Sequence, residues 1–144
     1  MGKKVLIVED EIFVALEIEQ IVEDAGFTVG AIAVDRAAAL ESAAACDIAL
    51  VDLNLRDGPT GPQIGMELAA RHGIRVIYVT ANPSQIGDAS VAALGVITKP
   101  FRARSVSAAL HLAAAERPDL EETEIAGFTP FRQSGSWSGL ESRG

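Results

Sequence analysis

Polar side chains that could do chemistry follow four short apolar runs of this 144-residue sequence. They are Glu9 and Asp10 after one run, Asp52 and Asn54 at the end of another, Thr80 after a third and Lys99 after a fourth. Carboxylates that lie close together raise one another's pKa values unless a cation offsets their charge. An oxygen-only set suits a hard divalent ion, and Mg²⁺ in proteins usually binds one or two carboxylates plus water. If the fold brings these runs together, the set predicts a magnesium site.

Asp52 is the candidate nucleophile of this set. Its carboxylate can attack a phosphoryl group in line while Mg²⁺ and Lys99 stabilise the charge on the phosphoryl oxygens. Thr80 can donate a hydrogen bond to one of those oxygens. Any one of these residues alone is an ordinary polar residue at the end of a strand. Their occurrence at the ends of separate strands favours phosphoryl transfer to Asp52.

The elements that must position these residues alternate between β-branched apolar runs and helix-like segments. Strands are predicted over residues 5–8, 28–34, 48–53, 76–79 and 96–98, and helices over residues 12–25, 35–45, 61–72 and 102–115. Continuous apolar runs are typical of parallel strands that are covered on both faces. The alternation therefore predicts an α/β fold with a doubly wound, five-stranded parallel sheet. In such sheets ligands bind at the carboxyl ends of the strands.

The segment between the last two predicted strands has the weakest helical pattern. It opens with Pro83-Ser84 and contains Gly87. Because proline and glycine interrupt helices, we predict a loop there, followed by a short helix over residues 90–94.

The composition limits the partners and the compartment. The net charge of −8 disfavours nucleic acid and anionic membrane surfaces, because both need a basic face to neutralise phosphate. Cys46 is the only cysteine, so no disulfide can form within the chain, which fits a reducing compartment. No run approaches the roughly 18 apolar residues of a membrane span. We therefore expect a cytoplasmic protein that binds neither nucleic acid nor membrane.

The composition changes at Pro118. Residues 1–117 are predicted to form one domain, and residues 118–144 a C-terminal tail that is rich in glycine and serine. The tail is too short to form a core of its own and is predicted to be mostly disordered. The alternative is that its aromatic residues, Phe128, Phe131 and Trp137, dock on the domain or on a partner.

Four blocks of the sequence resemble the signature blocks of response-regulator receiver domains of two-component systems. They are Val8-Glu9-Asp10-Glu11, Leu50-Val51-Asp52-Leu53-Asn54-Leu55, Tyr78-Val79-Thr80-Ala81 and Thr98-Lys99-Pro100-Phe101. The resemblance covers residues 3 to about 117 and implies a flavodoxin-like fold with strand order 2-1-3-4-5. With a tail as the remainder, the chain resembles the stand-alone, single-domain type.

The resemblance implies a role for each residue of the set. Asp52 matches the phosphorylated aspartate, Thr80 matches the hydroxyl that senses the phosphoryl group, and Lys99 matches the lysine that binds this group. Asp10 matches a direct metal ligand, and Glu9 matches its partner farther from the ion. Asn54 matches the residue whose backbone carbonyl completes the Mg²⁺ site. It also implies a cis peptide bond between Lys99 and Pro100.

Two features depart from the family pattern. Val96 occupies the position, three residues before the lysine, where the family usually carries an aromatic switch residue. The segment between Thr80 and Lys99 is about one helical turn shorter than the family pattern. Both changes fall on the face that family members commonly use for output or dimerisation. We therefore expect the phosphorylation chemistry to be intact and the conformational response to be unusual.

Three apolar residues of the first predicted helix, Ile12, Phe13 and Leu16, lie away from its core-facing stripe and beside the acidic residues. Exposed apolar residues beside a reactive site often form a docking surface. The resemblance implies that the partner is a sensor histidine kinase or a histidine phosphotransferase. The alternative is that Phe13 folds over the adjacent loop.

The leading functional hypothesis is a single-domain response regulator that signals by binding a downstream protein or acts as a phosphate sink. Its only catalysis would be phosphoryl transfer to its own Asp52 and autodephosphorylation, so we do not expect an enzyme. A phosphorylation-independent, receiver-like interaction module is the alternative. A phosphatase of the haloacid-dehalogenase kind is disfavoured, because Asn54 stands where those enzymes place an acid/base aspartate.

Overall fold

The first five strands and the helices occur in the predicted alternation. The computed structural model describes residues 2–121 and 123–131. Its elements are β1 (Lys4–Val8), α1 (Ile12–Asp24), β2 (Thr28–Ala33), α2 (Arg36–Ser42), β3 (Ile48–Asp52), α3 (Gly61–His72), β4 (Arg75–Thr80), β5 (Ala93–Thr98), α4 (Ala103–Ala114) and β6 (Phe128–Pro130). No helix within the described residues is both long enough and apolar enough to cross a bilayer.

The strands form one sheet in the order β2-β1-β3-β4-β5-β6. Strands β1 to β5 are parallel to their neighbours, whereas β6 runs antiparallel to β5. The flavodoxin-like order 2-1-3-4-5 is thereby confirmed, and β6 adds an edge strand that the prediction did not contain. Parallel strands place their carboxyl ends at one rim, so the fold gathers the predicted site residues there.

Each face of the sheet is covered by a pair of helices. Within β1, Leu6 and Val8 face the core under α2 and α3, while Val5 and Ile7 face the core under α1 and α4. Alternate residues of a strand point to opposite faces, and here both faces are buried. This is why β1 has a continuous apolar run instead of an alternating one.

Helix ends follow from the sequence at two positions. The side chain of Asp35 accepts a hydrogen bond from the Ala38 N–H at 2.9 Å and so caps α2. Gly73 ends α3 in the left-handed region, with φ 64°, where glycine has no steric penalty.

The short helix predicted over residues 90–94 is present as a 3-10 helix with different bounds, Gly87–Ala92. The chain forms two 3-10 turns there, Pro83–Gln85 and Gly87–Ala92, and β5 begins directly at Ala93. Gly87, the first residue of the second turn, takes φ 55°. Few residues connect β4 to β5, and burial of Ile86 and Ala89 in the core favours tight turns over a regular helix.

Part of the predicted tail lies against the sheet. β6 pairs with β5 in the register Gly95 to Pro130, Val96 to Thr129 and Ile97 to Phe128. The Phe128 side chain is buried. Trp137 and the rest of residues 132–144 lie outside the described residues, so the expectation for that part stays a prediction.

Candidate functional site

Three carboxylates meet at the carboxyl rim of the sheet. Glu9 and Asp10 follow β1, and Asp52 is the last residue of the adjacent strand β3. One oxygen from each carboxylate lies within 4.8 Å of the other two. The ligand set is oxygen-only and carries three potential negative charges, so it fits a hard divalent cation such as Mg²⁺.

Lys99 supplies the positive charge in the cluster. Its Nζ lies 3.2 Å from Glu9 Oε1 and 3.3 Å from Asp52 Oδ2. Burial lowers the pKa of Lys99, but the charges and hydrogen bonds of Glu9 and Asp52 outweigh that effect and raise it. The lysine is therefore protonated at neutral pH and lies directly against the predicted phosphoacceptor.

Glu9 is the most deeply buried carboxylate of the cluster. Its side chain accepts a hydrogen bond from the Glu11 N–H at 3.2 Å. Burial, and then the negative charge of Asp52, raise the pKa of Glu9 to about 7, although Lys99 opposes the shift. Burial and the charge of Asp52 thus both oppose ionisation of Glu9, and a bound cation would favour its ionised form.

Thr80 stands at the end of β4 and its side chain is buried. Its Oγ1 accepts a hydrogen bond from the Asn82 N–H at 2.9 Å, which leaves the hydroxyl proton able to donate to a ligand. Its backbone carbonyl accepts from the Lys99 N–H at 2.9 Å. The Lys99–Pro100 peptide is cis, as the family resemblance implies.

A cleft of about 440 Å³ opens between these residues; Asp10, Asp52, Asn54, Thr80, Asn82 and Lys99 are among its lining residues. The Asn54 side chain crosses one side of the cleft, where its Nδ2 donates to Gln85 Oε1 at 3.1 Å. Sequence reasoning missed Gln85, because nothing in a segment predicted to be a loop indicates which side chain will contact Asn54.

The predicted docking residues lie on the surface beside the cleft. Ile12 is 57%, Phe13 84% and Leu16 46% exposed. Phe13 therefore does not fold over the adjacent loop. A second cleft next to this part of α1 is lined in part by Pro100 and Phe101. Docking on this surface stays a prediction.

The position of the usual aromatic switch is occupied by a small buried side chain. Val96 is 2% exposed and lies in β5 between Tyr78 of β4 and Thr129 of β6. A valine has no ring that could rotate between buried and exposed positions. The structure therefore has no aromatic switch residue at position 96.

Known proteins share both the sequence pattern and the fold. The family model described as the response regulator receiver domain matches residues 5–111. The phyllosphere-induced regulator PhyR of Methylorubrum extorquens is 32% identical over an alignment of 115 residues, and the alignment covers 76% of this chain and 43% of that protein.

Two solved structures extend the comparison. The PhyR receiver domain of Erythrobacter litoralis superposes with a TM-score of 0.72 at 26% identity and covers 82% of this chain and 95% of that one. The anti-anti-sigma factor PhyR of Bartonella quintana superposes with a TM-score of 0.67 at 30% identity, over 78% of this chain and 47% of that one. The chain thus spans less than half the length of the Methylorubrum and Bartonella proteins.

Proposed function

This chain belongs to the response regulator receiver domain family, and on that basis we propose that it accepts a phosphoryl group on Asp52. The donor would be the phosphohistidine of a sensor histidine kinase or a histidine phosphotransferase. The observation that carries the proposal is the contact of 3.3 Å between Lys99 Nζ and Asp52 Oδ2 at the rim where the strands end. This contact places a fixed positive charge where the phosphoryl oxygens would arrive.

The transfer needs little from the protein beyond position and charge. A carboxylate oxygen of Asp52 forms a bond to phosphorus while the bond from phosphorus to the donor's imidazole nitrogen breaks, and the bonding electrons stay on that nitrogen. The Lys99 ammonium and the Thr80 hydroxyl donate hydrogen bonds to the transferred oxygens. The product is an acyl phosphate on Asp52, and the donor histidine is released.

Asp10, Asp52 and the backbone carbonyl of Asn54 would hold Mg²⁺, with Glu9 beside them. When bound, the ion supplies positive charge to the phosphoryl oxygens. The cluster of Glu9, Asp10 and Asp52 supports this assignment, since its oxygens lie within 4.8 Å of one another.

Phosphotransfer with the purified chain tests the proposal. We expect wild type to be labelled by a phosphorylated histidine kinase and by a small phosphoramidate, and Asp52→Asn to be labelled by neither. The matched control is Asp88→Asn, which removes an exposed carboxylate from the 3-10 turn and should label normally. Labelling that survives in Asp52→Asn would overturn the proposal.

For the output, we propose phosphorylation-dependent binding of another protein, in the cytoplasm and without nucleic acid or membrane. The Bartonella relative is described as an anti-anti-sigma factor, which supports a protein partner in general terms. A phosphate sink is the other form of the same function. The two differ in a measurable way, because a sink removes phosphoryl groups from the kinase without any complex beyond the kinase itself.

Val96 favours one alternative, a receiver-like module that binds its partner without phosphorylation. In that case the wild-type chain and the Asp52→Asn variant would bind the partner equally well. Phosphorylation-dependent binding would be lost in that variant.

A further inference from the structure

The outer edge of β5 is occupied by a segment of the same chain. Beyond the three paired residues of β6, the Thr98 N–H donates to the Gly127 carbonyl at 3.0 Å, and the Phe131 N–H donates to the Leu94 carbonyl at 2.9 Å. An uncovered edge strand presents unpaired backbone groups that other chains can bind. Residues 125–131, here called the edge segment, satisfy those groups within the molecule.

The edge is shaped for an aromatic side chain at one position. Gly95 of β5 pairs with Pro130, and a Cβ at Gly95 would come within 2.5 Å of the Phe128 ring and would also collide with the Thr129 carbonyl. Glycine inside a strand weakens the strand and marks a close approach of another group. Phe128 is 5% exposed and packs in the same core as Ile97 and Leu110.

A second contact fixes the start of the edge segment. Ser105 of α4 is 2% exposed, and its hydroxyl donates to the Ala126 carbonyl at 2.5 Å. Gly127 follows with φ 81°, a conformation that other L residues rarely adopt. The domain thus recognises an extended segment through backbone pairing, a ring pocket and a buried hydroxyl.

The edge segment contributes the shortest strand among the described residues. β6 has three residues and a partner on one side only, and it follows α4 after a connection that contains neither helix nor strand among the described residues. Short elements with one neighbour open at a lower free energy than the central strands. Opening would expose a complete acceptor site.

We propose that the β5 edge is a docking site for an extended segment of another protein in which an aromatic residue follows a glycine, and that the edge segment occupies this site in the resting molecule. The partner adds a strand to the sheet at β5, with its aromatic side chain in the place of Phe128. The edge segment, which occupies the site in this structure, shows which residue types a partner segment would need. This inference does not depend on the phosphorylation of Asp52.

A labelled peptide with the sequence of residues 124–131 tests the proposal against three full-length chains. Phe128→Asp removes the intramolecular anchor and leaves the acceptor intact, so it should bind the peptide. Wild type should bind at least about tenfold more weakly, because the tethered segment competes at a high effective concentration. The double variant Phe128→Asp with Gly95→Val should not bind, because the new side chain fills the ring pocket.

Equal binding by the single and double variants, or by wild type and Phe128→Asp, would overturn the proposal. If Phe128→Asp does not fold, Gly127→Val releases the segment by backbone strain instead. Exchange of the Thr98 amide with deuterium gives a second measurement. Exchange should be slow in wild type, fast in Phe128→Asp, and slow again when the peptide is added to Phe128→Asp. If the peptide does not change the exchange rate of this variant, the proposed site is contradicted. If wild type forms a dimer and Gly95→Val abolishes it, the partner at the β5 edge is a second copy of this chain, and the proposal of another protein is rejected.

Discussion

Lys99 is the residue on which the charge balance of the site depends. Its ammonium contacts Glu9 and Asp52 at once, and the backbone amide of the same residue binds the Thr80 carbonyl. These contacts join the ends of β1, β3 and β4 to the end of β5. Under the proposed function, the same ammonium would stabilise negative charge on a phosphoryl group bound at Asp52.

Replacing Lys99 by methionine should slow phosphorylation of Asp52 by about 100-fold, because one charged donor to the transferred oxygens is lost. The rate of labelling by a phosphoramidate measures the effect without a partner protein. The matched control is Lys3→Met, which removes an exposed lysine at the opposite end of β1. A rate equal to that of wild type would show that Lys99 does not act on the phosphoryl group.

Helices α2 and α3 are joined by one bidentate ion pair. Arg36 donates from Nε and Nη2 to the two carboxylate oxygens of Glu67, both at 2.7 Å. Hydrogen bonding to Arg36 lowers the pKa of Glu67 below its ordinary value. The folded chain therefore holds this carboxylate ionised at a pH where the unfolded chain has begun to bind a proton.

This shift has a defined sign. A carboxyl group with a lowered pKa in the folded state stabilises the fold above its ordinary pKa, and that contribution disappears as the pH falls through the folded value. We expect Glu67→Gln to have a lower Tm than wild type at pH 7 and the same Tm in acid. The effect should be modest, because Arg36 is partly exposed to solvent. Glu23→Gln on α1 is the control, and a difference that persists in acid would contradict the assignment.

Tyr78 connects β4 to the 3-10 turns that follow it. The side chain is fully buried, and its hydroxyl lies 3.2 Å from the carbonyls of both Pro62 and Ala89. Gly65 of α3 leaves room for it, since a Cβ there would overlap the phenol ring. Burial raises the pKa of Tyr78, so the hydroxyl stays protonated and able to donate.

Replacing Tyr78 by phenylalanine should lower the free energy of unfolding by about 1 kcal/mol, because a buried carbonyl loses its donor. Chemical denaturation measures the change. If backbone amides of the variant exchange faster with deuterium only in residues 83–92, the loss of stability belongs to the 3-10 turns. A midpoint identical to that of wild type would show that the hydroxyl does not stabilise them.

For the molecule as a whole, the rim that carries the carboxylates and the edge that carries β6 meet at the end of β5. Thr98 binds the Gly127 carbonyl, and the next residue, Lys99, contacts Asp52. Val96 has no ring to connect the two regions by a change of rotamer. We therefore expect a ligand at the rim to stabilise the domain without the usual repacking around β5.

Beryllofluoride, a mimic of the phosphoryl group, tests this expectation. In the presence of Mg²⁺ it should raise the Tm of wild type, because a ligand that binds only the folded state stabilises it. The rise should vanish in Asp52→Asn and after chelation of Mg²⁺. The changes in NMR chemical shift should be concentrated at the rim. The expectation would be contradicted if β5 and the segment before it repacked as they usually do in the family.

Much of the fold and site could be predicted from the sequence, because the evidence for them is local. The continuous run of residues 5–8 indicated a strand covered on both faces, and Asp35 and Gly73 indicated helix ends. Parallel strands place their carboxyl ends at one rim, so Asp10, Asp52, Thr80 and Lys99 could be assigned to one cleft before any distance was known.

Packing between distant segments decided the rest. The 3-10 geometry of the segment before β5 and its bounds depend on the core beside Tyr78, which accommodates Ile86 and Ala89 in a tight path. The contact of Gln85 with Asn54 depends on that path. The sixth strand depends on the space that Gly95 leaves for Phe128. The last two are contacts between segments far apart in the chain, so no local pattern of residue types could indicate them.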